Sequence, residues 1–235
     1  MRMTDKSISR KTIEWVRANK QTIIEHFASD DVCPPSEEPF SIFMAGSPGA
    51  GKTESSIAIV EMLKKRGDAI VRIDPDEIRK LIPEYTGSNT DAVKGASFLA
   101  VEKLYDYVLK TGKSMVLDST FTPYKKIEAN VRRSIKKHRP TAIIYIDQDP
   151  LVAWHFTKER ERVEGRSIPP EFFIRTLFES RENARKIKAH YGDQITLHVI
   201  QKDYVKQTQR FIEDVTFIDD VVRIKYSVGD LQELL

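Results

Sequence analysis

One cysteine, five histidines and no apolar run longer than residues 142–146 mark what this 235-residue chain does without. A lone thiol, Cys33, closes no internal disulfide, and the histidines have no paired spacing for zinc, so structural metal and redox chemistry are not expected. A membrane-spanning helix needs roughly 18 consecutive apolar residues, far more than any run here. The opening MRMTDKSISR has no apolar stretch behind its charges, as a secretory signal would. A cytoplasmic protein without a membrane segment is expected. Charge of one sign is also scarce: Lys+Arg number 38 against 35 Asp+Glu, a net of +3 spread along the chain. Nothing in that balance demands a nucleic-acid or membrane partner. With 40% hydrophobic and 31% charged residues, the chain can bury a core and is not of disordered composition.

What is present is alternation. Residues 8–28 carry Ile8, Ile13, Val16, Ile23, Ile24 and Phe27 in a loose helical pattern, and the proline-rich segment 33–39 then breaks any helix. After it, apolar β-rich runs near 41–45, 69–73, 114–118, 142–146 and 195–200 alternate with helical stretches near 52–66, 91–110, 124–137, 150–162 and 170–190. Such alternation predicts an α/β fold, a doubly wound, mostly parallel sheet with helices on both faces. The expected division is an N-terminal helical segment and linker over 1–38, a catalytic domain over 39–215 and a C-terminal extension over 216–235. The last is read as an extra strand or hairpin.

Gly46-Ser47-Pro48-Gly49-Ala50-Gly51-Lys52-Thr53 matches the phosphate-loop pattern G-x-x-x-x-G-K-[ST] in full, between an apolar run and a helical pattern. Glycines let backbone N–H groups approach phosphate oxygens at a helix N-terminus, which favours anions. Lys52 would reach the β- and γ-phosphates of ATP or GTP, and Thr53 would ligate Mg²⁺. The motif names a P-loop NTPase but no substrate. Beyond the second run, Asp74, Pro75 and Glu77 make a capping-box-like helix start. Asp76 is then left as a second carboxylate where ligands bind in open α/β sheets, and either a helix-start residue or a general base fits it.

GSPGAGKT, IDPDEIRKLIPEY, the helical FLAVEKL, VLDST and RERVEGRSIP, in that order and covering roughly residues 40–190, resemble the zeta toxin family. The DPDEIR segment and the arginine-bearing loop are the specific parts. The resemblance implies a P-loop kinase of bacterial toxin-antitoxin systems, using ATP or GTP with Mg²⁺ to phosphorylate the 3′-hydroxyl of the amino sugar in UDP-N-acetylglucosamine. It also implies a small helical antitoxin as a partner blocking the nucleotide site. Asp76 becomes the implied catalytic base. Glu102, on the stripe Phe98, Val101, Tyr105, becomes the implied substrate-binding carboxylate, although a glutamate at the stripe's edge with its head in water fits as well. Thr120 is implied near the substrate. Asp118 stands where better-known members carry a glutamate, one carbon longer, which leaves direct or water-mediated contact with Mg²⁺ open. Arg166 and an earlier partner, Arg160 or Arg162, are the implied lid arginines; surface pairs such as Glu159 with Arg162 are the plain alternative. Two other functions fit the motifs. One is a P-loop kinase acting on another hydroxyl, of a small molecule or a polynucleotide 5′ end. The other is a nucleotide-gated binding module without catalysis.

Overall fold

The computed structural model describes residues 5–235. Two helices, α1 (Asp5–Ala18) and α2 (Lys20–Ala28), replace the single helical stretch read from the sequence. The break falls at Asn19, whose side-chain amide donates to the Trp15 carbonyl at 2.9 Å, a local bond of the kind that competes with helix continuation. Then follow β1 (Ser41–Ala45), α3 (Lys52–Lys65), β2 (Ile70–Ile73), α4 (Pro75–Lys80), α5 (Thr90–Lys110), β3 (Ser114–Leu117), α6 (Tyr124–Lys136), β4 (Thr141–Asp147), α7 (Pro150–Glu164), α8 (Pro170–Tyr191), β5 (Thr196–Asp203), β6 (Thr208–Ile212) and α9 (Val228–Leu234).

The six strands form one sheet in the order β2-β3-β1-β4-β5-β6. β1 to β5 run parallel, and β6 is antiparallel to β5. Side chains alternate between its faces, as a strand's period of two requires. Phe43, Leu117, Ile143 and Leu197 join the main core under α5, α6 and α8. Met44, Val116, Ile144 and Ile200 pack on the other side with Val60, Ile59 and Leu63 of α3. Burial on both faces explains why the strands read as short apolar runs. α1 and α2 brace α5, with Val16, Ile23 and Ile24 in the same core. Cys33 is 1% exposed, and the buried Lys113 ammonium donates to its carbonyl and to Asp30.

Residues 216–235 contain no strand, contrary to expectation. The hairpin lies earlier, between β5 and β6. β6 is a polar edge strand, four of its five residues exposed, and so lacks the apolar alternation that would reveal it. In the tail, Ile218 and Val222 enter the main core. Ser227 and Asp230 form a reciprocal capping box that starts α9, and Leu231 packs on Ala153, Phe173 and Ile174.

Candidate active site

The phosphate loop leaves β1 at the carboxyl edge of the sheet and delivers Lys52 as the first residue of α3. Gly49 has φ +70°, and a Cβ there would stand 2.0 Å from the Ala153 carbonyl of α7, so only glycine fits beneath that helix. Two further elements hold the loop. The Gly46 amide donates to the Ser180 hydroxyl of α8 at 2.7 Å, and Lys202 of β5 donates to the Gly51 carbonyl at 2.9 Å. Lys52 is 9% exposed and donates to the Ser47 carbonyl at 2.6 Å, curled back over its own loop. Burial drives its pKa down to about 8, against the pull of the Asp118 and Asp76 carboxylates, which favour the charged form.

Asp74 caps α4 as its spacing predicts, accepting from the Asp76 amide at 2.8 Å. Asp76, the second residue of α4, meets three guanidinium groups. Arg79 donates to Oδ1 at 2.9 Å; Arg160 and Arg166 donate to Oδ2 at 2.9 Å and 2.5 Å. Burial pushes this carboxyl's pKa up, but Arg166, Arg79 and Arg160 outweigh it and hold the group below its ordinary value. It is therefore an anion at neutral pH. Arg160 sits on α7, and Arg166 on the loop leading into α8, so the two reach Asp76 from either side of Gly165, the left-handed cap of α7. Arg162 does not join them: its side chain is 76% exposed and pairs with Glu159.

Asp118 is 5% exposed at the end of β3. Its Oδ2 accepts from Ser56 at 2.8 Å and from Arg72 at 2.9 Å. Arg72 also binds Asp74 at 2.6 Å and Glu77 at 2.7 Å, so one guanidinium ties the ends of β2 and β3 to the start of α4. Arg72 is absent from the expected site, although a single charge inside the apolar run IVRI signals a buried partner. Ser180 and Lys202, which hold the loop, sit in no recognisable sequence pattern. For Mg²⁺, the donor set here is oxygen only: the Thr53 hydroxyl and the Asp118 oxygen left over by Arg72 and Ser56. That suits an ion that keeps several waters and binds one or two carboxylates together with phosphates. Among the described residues no cluster of three or more His, Cys, Asp or Glu side chains could cage a metal alone.

Glu102 is not a buried carboxylate out of pattern. The buried ridge of α5 runs through Ala96, Ser97, Ala100, Val101, Leu104 and Tyr105, whereas Phe98 is 43% exposed. Glu102 shares Phe98's side of the helix, is 53% exposed and pairs with Lys126 at 3.3 Å. Thr120 follows β3, half-buried, with its hydroxyl 3.0 Å from that of Thr122.

The zeta toxin family model matches residues 24–213, most of the chain. The chain belongs to the zeta toxin family. A search of curated proteins finds no match. Among solved structures, the PezAT chromosomal toxin-antitoxin system of Streptococcus pneumoniae is similar, with a TM-score of 0.69 and 16% identity over 99% of this chain and 96% of that one. The AvrRxo1-ORF1:-ORF2 complex with ATP gives 0.61 and 14% over 97% of this chain and 70% of that one. The Pnkp1/Rnl/Hen1 RNA repair complex gives 0.51 and 12%, covering 54% of that chain. At these identities the structural likenesses speak for the fold, which is that of a zeta toxin: a P-loop, kinase-type α/β sheet. No helix among the described residues is long and apolar enough to cross a membrane.

Proposed function

We propose that this zeta toxin family member is a kinase that transfers the γ-phosphate of ATP or GTP to the 3′-hydroxyl of the amino sugar of UDP-N-acetylglucosamine in the cytoplasm. The observation carrying it is the sharing of Asp76 Oδ2 by Arg160 and Arg166 beside the phosphate loop. In this arrangement these cations neutralise the carboxylate. When triphosphate enters, its oxygens compete for them. Asp76 then loses two of the three cations that depress its basicity, keeping Arg79, and becomes a better acceptor for the sugar hydroxyl proton. The hydroxyl oxygen bonds to the γ-phosphorus as its proton passes to Asp76, and the bond to the β–γ bridging oxygen breaks, releasing the nucleoside diphosphate. Lys52 holds the β- and γ-phosphates, and Arg160 and Arg166 stabilise charge that spreads over the transferring group. Bound Mg²⁺, held by Thr53 and Asp118, would neutralise phosphate charge. Glu102 and Thr120 are proposed to contact the acceptor.

Both the family and the AvrRxo1-ORF1:-ORF2 complex with ATP support nucleotide use. The toxin-antitoxin system among the similar structures supports an antitoxin partner; that it is small and helical and covers the nucleotide site is part of the proposal. The test is incubation with ATP, Mg²⁺ and a panel of nucleotide sugars, read by mass spectrometry. A phosphate-sized mass gain on UDP-N-acetylglucosamine is expected. ATP turnover on a different hydroxyl acceptor, with the nucleotide sugars untouched, would replace this substrate with that acceptor.

A further inference from the structure

The three guanidinium groups around Asp76 come from two parts of the fold. Arg79 stands on the same helix, three residues on, a spacing at which helical side chains meet. That helix is tied to the main core: Ile78 and the nearby Ile82 are buried in it, and the Ser97 hydroxyl of α5 donates to the Pro75 carbonyl at 3.2 Å. Arg160 and Arg166 arrive from elsewhere. α7 and the loop carrying Arg166 pack, through Ala153, Trp154 and Ile168, in a smaller cluster of their own. The carboxylate is divided in the same way: Arg79 takes Oδ1, whereas Arg160 and Arg166 share Oδ2.

Arg79 is 5% exposed, its guanidinium lies 5.7 Å from the Tyr85 ring centre, and its Nε is buried without a hydrogen-bond partner. An apolar side chain would fill this space without leaving a donor bare, so packing alone does not call for a guanidinium. A buried carboxylate does. Burial favours the protonated form of Asp76, which cannot accept a proton. Once the arginines on Oδ2 turn to phosphate oxygens, Arg79 is the cation that stays on Asp76's own helix.

We propose that Arg79 is a positioning residue for phosphoryl transfer: by holding Oδ1 it keeps the Asp76 carboxylate charged and turned so that Oδ2 meets the acceptor hydroxyl, while Arg160 and Arg166 serve the phosphates. The proposal rests on the reading of Asp76 as the base and adds to it the group that keeps that base ready. The other charges facing Asp76 are Lys52 of α3 and Asp74 before α4, the latter tied to Arg72; they are retained in every Arg79 variant.

The test is the pH dependence of kcat at saturating ATP and acceptor for wild type, Arg79→Met, Arg79→Gln and Arg79→Lys, with melting curves alongside. Transfer requires ionised Asp76, and removing a nearby cation favours its protonation. The acid limb should therefore move up by about 1–3 pH units in Arg79→Met and Arg79→Gln, with ATP affinity unchanged. ATP is common to all the profiles, so its own titration cancels. Arg79→Lys, which keeps the charge, should bring the limb back toward wild type. A lowered Tm or kcat with the wild-type acid limb would make Arg79 a structural ion pair only and overturns the proposal. Arg79→Gln keeps a donor to Asp76 and gives the same reading where Arg79→Met does not fold. The two failures are separable. Asp76→Asn with wild-type kcat overturns the base, and Arg79's role with it. Asp76→Asn without turnover, beside Arg79 variants with an unmoved limb, removes Arg79's role and leaves the base standing. If ATP is turned over on a different hydroxyl, the same profiles on that acceptor decide, since Arg79 acts on Asp76 and not on the acceptor.

Discussion

Arg166 Nη1 donates to Asp76 Oδ2 at 2.5 Å, joining the loop before α8 to the start of α4. Arg160 shares the same oxygen from α7. The two arginines proposed for the lid thus both bind the carboxylate proposed as the base. Side chains proposed to act on opposite ends of the reaction hold each other in reserve.

Exchanging the arginines separates the partners. Arg160→Ala and Arg166→Ala should lower kcat by about two to three orders of magnitude, as losing a donor to a developing anion does, with a smaller effect on ATP affinity. Arg162→Ala, on an exposed side chain paired only with Glu159, should leave kcat as it is and change stability by no more than about 0.5 kcal/mol. Steady-state kinetics and melting curves on the three variants check this; a loss of rate in Arg162→Ala equal to that in Arg160→Ala would refute the assignment.

Asp76→Asn should lower kcat by about 10²- to 10⁴-fold. It should also lower stability, by about 1–3 kcal/mol, because the buried Arg79 loses its anion. The folded-state pKa lies below the ordinary 3.8, so the carboxylate's stabilising contribution is present at neutral pH and disappears as pH falls through that depressed value. Urea midpoints measured from neutral pH into acid should therefore converge for wild type and Asp76→Asn at the acid end.

Lys52 should make nucleotide binding a proton-uptake reaction. Its pKa of about 8 is below the ordinary 10.5, and triphosphate oxygens favour the charged form. Above about pH 8, ATP should bind with uptake of a proton, and its affinity should fall as pH rises further. Calorimetry in buffers of different ionisation enthalpy reads the uptake directly, and Lys52→Ala should abolish it. The lysine's effect on folding has the opposite sense: the unfolded chain binds more protons between about pH 8 and 10.5, so this residue's penalty eases as pH rises across that window.

Gly49→Ala tests the packing of the loop under α7. The left-handed backbone alone costs a non-glycine residue about 1–3 kcal/mol, and the new Cβ would overlap the Ala153 carbonyl. A fall in Tm of several degrees with weakened ATP binding is expected. An unchanged Tm would mean that α7 moves away from the loop freely.

The sequence by itself determined the strand and helix alternation, the phosphate loop and the cap at Asp74, because each depends on neighbours a few residues apart: apolar period, glycine conformation and a side chain bonding its own backbone. The family followed from those motifs in order. Local pattern failed where burial decided. β6 is polar along an open edge, the tail's Ile218 and Val222 fold into the main core without a strand, and Phe98 proved to lie on the exposed side of α5, carrying Glu102 with it. Only tertiary structure shows that Arg160, and not Arg162, reaches Asp76, since helix spacing offers both and the contact is with a carboxylate 84 positions away. Arg72 is the same case: one charge inside a strand reveals that something must pair with it. Asp118, just past β3 and 46 positions later, becomes its partner only when β2 and β3 lie side by side, because desolvating a guanidinium is tolerated only where the fold brings an anion to it.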